Sequence, residues 1–209
     1  MKKAVTAQEM KEIEKKAAEN GLSYLQMMEN AGQAAVDELL RTYSLTGKIV
    51  LIAVGKGNNG GDGLVAARLL HQIGIPVVVI LTEGLPVTED ATTNFKRCQE
   101  LGIEILRYES QVSDLLFAGA DFILDAVYGA GFHGDFREPA ASAVRAINQS
   151  DAKVIALDLP SGLNADTGEA APHTVQAELT ITFARLKLGQ IGSNGLRFCG
   201  KIILADIGI

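Results

Sequence analysis

Tryptophan is absent from the 209-residue chain and aromatic residues make up only 5% of it, so the stacked platforms that hold single-stranded nucleic acid are poorly supplied. Basic residues are outnumbered, 19 Lys and Arg against 25 Asp and Glu, and the formal charge of −6 removes the basic face a broad nucleic-acid footprint needs. A small anionic ligand held locally by backbone amides stays open. No apolar run approaches the ~20 residues that cross a bilayer, so no membrane association is expected. The start, Met1-Lys2-Lys3 and then Ala-Val-Thr-Ala-Gln-Glu, lacks the apolar core of a signal peptide. Cysteine is scarce: Cys98 and Cys199 lie far apart and match neither a redox nor a zinc spacing, which predicts reduced, structural thiols in a cytoplasmic chain.

What is present, 47% apolar and 21% charged residues, is ordinary for a globular protein, and the length predicts a single domain over residues 1–209. The chain is organised around Val50 to Leu70. An apolar run, Ile49 to Val54, gives way to five glycines within Gly55 to Gly63, and Leu64, Ala67 and Leu70 follow at helical spacing. This reads as strand, tight loop and helix N-terminus, a place where exposed N–H groups can meet an anion. Gly55-Lys-Gly57-Asn-Asn-Gly60 fits the dinucleotide fingerprint literally, with Glu83 about twenty residues on, where a ribose-binding acid would sit. Asn58-Asn59-Gly60-Gly61-Asp62-Gly63 departs from that fingerprint, because a carboxylate at the helix mouth repels a pyrophosphate. Asp62 could instead cap the helix, or meet a hydroxyl or a cation.

Two helices precede this stretch. Thr6 with Glu9 makes a capping box for a first helix carrying Met10, Ile13 and Ala17 and ended by Asn20-Gly21. Ser23 with Gln26 opens a second, about Tyr24 to Leu40, with Leu25, Met28, Ala35, Val36 and Leu39 inward and Met27-Met28 read as core filler. Both helices must cover the following sheet or another copy of the protein. Beyond the central helix, expected over about Gly63 to Ile73, strands are predicted at Pro76–Leu81, Ile103–Leu106, Asp121–Asp125, Lys153–Leu157, Leu179–Phe183 and Lys201–Ala205. Helices are expected at Thr88–Leu101, Val112–Ala118 and Glu138–Ser150. Alternation of this kind gives a three-layer α/β fold with right-handed crossovers and a mostly parallel sheet. Ligands in such folds bind beyond the carboxyl ends of the strands, where strand order reverses. The longest loop, Pro160 to His173, suggests function rather than mere connection.

Three strand ends carry polar residues: the glycine stretch, Asp125-Ala-Val-Tyr-Gly129-Ala-Gly131-Phe132, and Asp158-Leu-Pro-Ser161-Gly162. A parallel sheet brings all three to one edge. Asp125, the amide oxygen of Asn59 and the hydroxyl of Ser161 form an all-oxygen set with one full charge, which suits a weakly held monovalent cation better than a transition metal. Asp158 is then free to serve as general acid or base, its proton affinity raised by partial burial. Either acid could instead simply cap its loop. Ser161 lacks the flanking glycines of a nucleophile elbow, and His71, His133 and His173 have no evident partner, so a serine hydrolase is disfavoured.

Gly57-Asn-Asn-Gly-Gly-Asp-Gly63, Asp125 to Phe132, Leu157-Asp-Leu-Pro-Ser-Gly-Leu163 with Asp166-Thr-Gly168, Phe183-Ala-Arg-Leu-Lys187, Met28-Glu29-Asn30-Ala-Gly32 and the ending Ala205-Asp-Ile-Gly-Ile209 together resemble the NAD(P)H-hydrate epimerase family. The likeness covers nearly the whole chain. It implies a Rossmann-like three-layer αβα sandwich with two extra N-terminal helices, frequently a homodimer. It implies an isomerase that interconverts the R and S hydrates of NADH and NADPH (NADHX and NADPHX), working with an ADP- or ATP-dependent dehydratase that is fused to it in some relatives. By resemblance, Asn58, Asn59, Gly60, Gly61 and Asp62, with Gly129, Ala130, Gly131, Phe132, His133, Gly134 and Asp135, hold substrate. Asp158 contacts the reacting ring, and Asn59, Asp125 and Ser161 hold one potassium ion (K+) per subunit. Leu188 stands where proline is expected, which leaves the role of Lys187 open. The hydrated ring is a hemiaminal: protonation of its hydroxyl by Asp158 would release water and leave a flat cation open to attack on either face. Asp158→Asn is expected to abolish this while leaving the fold intact. The alternatives are an NAD-dependent oxidoreductase and a non-catalytic, RNA-associated relative of the same fold.

Overall fold

Thr6 and Glu9 close the capping box that their spacing predicts. Thr6 Oγ1 accepts the Glu9 N–H at 3.0 Å and the Glu9 carboxylate accepts the Thr6 N–H at 2.7 Å, opening helix α1, Ala7–Glu19. Ser23 Oγ accepts the Gln26 N–H at 3.2 Å and opens α2, Tyr24–Thr42. This computed structural model describes residues 3–209, and Met1 and Lys2 of the N-terminal stretch read above lie outside them. In order, β1 (Val50–Val54), α3 (Asn58–Gln72), β2 (Val77–Leu81), α4 (Glu89–Glu100), β3 (Glu104–Arg107), α5 (Ser110–Gly119) and β4 (Phe122–Ala126) follow. Then come α6 (Ala140–Gln149), β5 (Lys153–Leu157), β6 (Leu179–Phe183), a 3-10 turn (Leu188–Gln190), α7 (Ser193–Phe198) and β7 (Lys201–Ala205).

The seven strands form one sheet in the order β3-β2-β1-β4-β5-β6-β7, and every pairing is parallel. Near-continuous apolar strands such as Val50–Val54, buried throughout, are what a sheet covered on both faces requires. Alternation sends Ile52, Val54, Leu124 and Leu157 towards one layer, with Leu39 of α2, Leu64 of α3 and Cys98 of α4. Leu51, Ala53 and Ile123 face the other layer, with Phe117 of α5 and Val144 and Ile147 of α6. The leading helices pack on this chain's own sheet: α2 lies against α3, β6 and β7. A Cβ at Gly32 would stand 2.4 Å from the Val65 side chain, so glycine lets α2 and α3 approach that closely.

The chain's first residues are tied to its last third. Val5 bridges Lys187 in parallel, its N–H bonding the Leu186 carbonyl at 2.9 Å and its carbonyl taking the Leu188 N–H at 3.0 Å. Asp166, in the long loop after β5, accepts the Ala7 N–H at 2.6 Å. These ties lay α1 across the carboxyl edge of the sheet. Strand order reverses between β1 and β4, so the turns following those strands face each other there. Among the described residues no helix is long and apolar enough to cross a membrane.

Candidate functional site

The helix after β1 starts earlier than the sequence suggests. Asn58 through Gly63 already form the first turns of α3, its N-cap is Gly57 without a side-chain cap, and Asp62 lies inside the helix rather than capping it. Close approach explains the glycines better than turn geometry. A Cβ at Gly55 would meet the Val127 carbonyl oxygen at 2.0 Å, and one at Gly60 would meet the Gly55 carbonyl oxygen at 2.0 Å. The N–H groups of Asn58, Asn59 and Gly60, in the first turn, have no intrahelical acceptor, the local chemistry that favours an anion.

Asp125, next to last in β4, is fully buried. Its Oδ2 accepts the Ser161 N–H at 2.7 Å, and its Oδ1 accepts the Ser161 hydroxyl at 2.6 Å and the Val127 N–H at 3.2 Å. Burial pushes its pKa up to about 6, opposed by those hydrogen bonds from Ser161 and Val127. Ser161 Oγ also accepts the Tyr128 N–H at 2.8 Å, and a Cβ on the neighbouring Gly129 would stand 3.2 Å from Asn59 Oδ1. Asn59 is 9% exposed, and neither its amide oxygen nor its amide nitrogen has a partner. The orphaned amide oxygen of Asn59, the Ser161 hydroxyl and the Asp125 carboxylate are the oxygen donors that an alkali cation takes, so their chemistry fits the ion that the resemblance implies. Among the described residues no group of three or more His, Cys, Asp or Glu is placed to hold a metal.

Asp158 follows β5 in the left-handed region, at φ 66°, a conformation Asp tolerates better than most residues and one that clusters at functional sites. It is not a spare acid. Its Oδ1 accepts a short hydrogen bond from the ammonium of Lys187, whose side chain is only 2% exposed. Lys187 Nζ also donates to Thr182 Oγ1 and to the Phe183 carbonyl, each at 3.1 Å. Gln190 braces both partners, its Nε2 donating to the Asp158 carbonyl at 2.8 Å and its Oε1 accepting the Lys187 N–H at 2.8 Å. Two further carboxyls face this pair. Burial, then repulsion from Asp158 and Glu14, hold Asp62 well above the usual carboxylate range, against the pull of Lys187. Burial and then Asp158 raise Glu14 of α1, against Lys187 and Lys11.

Asp62, Glu14, Lys187 and Asp158 line a cleft of about 470 Å³ over the point of strand reversal, whereas Asp125 and Ser161 are fully buried and lie outside its lining. Asn58, Asn59, Asp62, Gly129, Ala130, Gly131, Phe132 and Asp158 line it. Gly60 and Gly61 sit behind that surface, Gly61 pressed so closely on Met28 that a Cβ would lie 2.5 Å from its sulfur. His133, Gly134 and Asp135 are exposed and outside the lining, with His133 Nδ1 3.3 Å from Asn164 Nδ2. Sequence reasoning did not assign Lys187, Glu14 or Lys56 to the site, and it read Met27 and Met28 as core filler although both line the cleft. The PheAlaArgLeuLys segment was the available signal for Lys187. Glu83 also lines the cleft, 3.9 Å from Lys56 and with one buried oxygen unpartnered.

Residues 24–189 match the family described as YjeF-related protein N-terminus. The bifunctional NAD(P)H-hydrate repair enzyme Nnr of Pyrobaculum aerophilum is 39% identical over 99% of this chain, which spans 42% of that protein. The chain thus spans about two fifths of the length of the bifunctional relatives it matches. The NAD(P)H-hydrate epimerase of Limosilactobacillus reuteri is 38% identical over 98% of this chain and 95% of its own. The crystal structure of the yeast protein YNL200c superposes with a TM-score of 0.81 at 25% identity, over 90% of this chain and 82% of that one.

Proposed function

The chain belongs to the YjeF-related protein N-terminus family, and from that premise we propose that it is an isomerase interconverting the R and S hydrates of NADH and NADPH. Two relatives named for this activity or for NAD(P)H-hydrate repair share 38% and 39% of their aligned residues with it. The observation that carries the reading is the meeting, in one cleft, of the open N-terminus of α3, the unpartnered amide of Asn59 and the buried Asp158–Lys187 pair.

The substrate is an anionic dinucleotide bearing a hydroxyl on the ring carbon beside the nicotinamide nitrogen. The free N–H groups of Asn58 and Asn59 face its phosphates, and the Gly129 to Phe132 turn forms the opposite wall. The ring lies towards Asp158. When the hydroxyl departs as water, the ring nitrogen shares its lone pair and the ring becomes a flat cation, which the Asp158 carboxylate stabilises at close range. Lys187 fixes that carboxylate, and its own burial keeps the pair dry. Water returning to either face gives either epimer. A potassium ion at Asn59, Asp125 and Ser161 would offset the Asp125 charge and hold the turns after β1, β4 and β5 together. The product feeds an S-specific, nucleotide-dependent dehydratase, separate or fused, and the working form is a homodimer of K+-loaded cytoplasmic subunits.

The direct test supplies only the R hydrate together with a dehydratase specific for S. Full recovery of reduced nucleotide on adding this protein is expected. Recovery that stays at the spontaneous rate would remove the function, and hydride transfer from an alcohol to NAD would replace it with the oxidoreductase reading that Glu83 allows.

A further inference from the structure

Expulsion of the ring hydroxyl needs a proton donor, and the Asp158 carboxylate is committed as an acceptor. Its Oδ1 takes the Lys187 ammonium, and the backbone on either side is clamped by Gln190 and by the Ile181 carbonyl, which accepts the Asp158 N–H at 2.8 Å. Asp62 faces the same cleft from α3 without any such tie. Among the described residues no donor is paired with its carboxyl, although Asn58 and Asn59, one turn earlier, line the same wall. The groups that act on Asp62 are Asp158 after β5, Glu14 on α1 and Lys187 after β6, two acids against one ammonium that Asp158 already holds. Lys11 lines the cleft from α1 and Lys56 from the turn before α3.

We propose that Asp62 is a catalytic acid of the epimerisation, donating a proton to the hydroxyl that leaves the hydrated nicotinamide ring, an inference that rests on the function proposed above. Partial burial and then two neighbouring acids favour the neutral carboxyl that the role requires. The Asp62 proton passes to the hydroxyl oxygen, the C–O bond breaks with its electron pair, and the nitrogen lone pair closes a C=N bond, releasing one water. A water then adds to the same carbon. Its surplus proton returns to Asp62, directly on the original face or by way of the Asp158 carboxylate on the inverted one, so protons and charge are restored. The two carboxyls thus divide the work: Asp62 supplies and recovers the proton, and Asp158 faces the ring cation as a carboxylate, protonated only in passing.

The test is Asp62→Asn, which keeps the shape and removes the acid. Its kcat should fall at least about 100-fold with KM within a few fold. Wild-type kcat should decline as pH rises through the Asp62 titration, and the residual activity of the variant should not. Infrared difference spectra of the substrate-free protein supply a readout independent of turnover: a protonated-carboxyl band at neutral pH, missing from the variant. A variant within about threefold of wild-type kcat on the same pH profile would overturn the inference, as would identical carboxyl bands in the two proteins. An active wild type with an indifferent variant sinks this role alone, whereas an inactive wild type sinks the function as well.

Discussion

Lys187→Met should unsettle the whole protein as well as its chemistry. Lys187 Nζ donates to Asp158, to Thr182 Oγ1 at 3.1 Å and to the Phe183 carbonyl at 3.1 Å, and the paired side chains are 2% and 13% exposed. Solvent screens little at that depth, so removing one partner leaves Asp158 facing Asp62 and Glu14 with no counter-charge, a loss of about 3–5 kcal/mol. With a urea m-value of about 2–3 kcal/mol/M for a chain of this size, the midpoint should drop by about 1–2.5 M at unchanged m. Asp158→Asn strands the ammonium instead and should cost a similar amount, so a folded but destabilised variant is expected. The double variant strands neither charge. Its loss should be smaller than the sum of the singles by at least about 2 kcal/mol. Urea titrations of all four proteins at neutral pH make the cycle. Either single variant losing under about 1 kcal/mol, or an additive double, would refute the claim that this pair is buried and coupled.

Epimerisation in oxygen-labelled water should place the label in the product, and turnover without incorporation would mean ring opening and reclosure instead of loss of the hydroxyl. Potassium at about 100 times its Kd should add about 2.7 kcal/mol of stability. Choline at equal ionic strength should not, nor should potassium with Asn59→Leu; equal thermal shifts in both salts would dismiss the ion. Asp62 carries a raised pKa in the fold, so its contribution is fully present below the ordinary carboxylate range and is lost as pH rises through the folded value. Asp62→Asn should therefore gain on wild type as pH rises, and parallel melting curves from acid to alkaline pH would contradict that sign.

The sheet was legible because both periodicities were clean. The boundaries of β5, β6 and β7 are those the apolar runs mark, and the Thr6–Glu9 and Ser23–Gln26 caps open the helices they announce. The start of α3 was not legible, because Asn58 to Gly63 has the composition of a loop. Its helical form is imposed by packing on Gly55, Met28 and Ala126, where tertiary contact overrides propensity. The 3-10 turn and α7 escaped for a related reason: they are short and interrupted by Gly189, Gly192 and Gly195, too brief for a periodic signal. Of the site, the three converging strand ends could be read from parallel topology alone. Lys187 was marked only by its Phe183 to Lys187 motif and not by any pattern of its own, since a single lysine between apolar neighbours has the pattern of a surface residue until the fold closes over it. Met27 and Met28 look like core because the face of α2 that packs inward also floors the cleft.

The bridge between Val5 and Lys187 also sets an order of events at the ribosome. Two anchors of the segment that carries α1, Asp166 and the backbone around Lys187, are translated about 160 to 180 residues after it. During synthesis these two ties of the roof of the cleft can therefore form only after β1 to β5 have been made. Asp158 acquires its counter-charge only when Lys187 emerges, so the nascent protein can hold most of its core and still have no competent site.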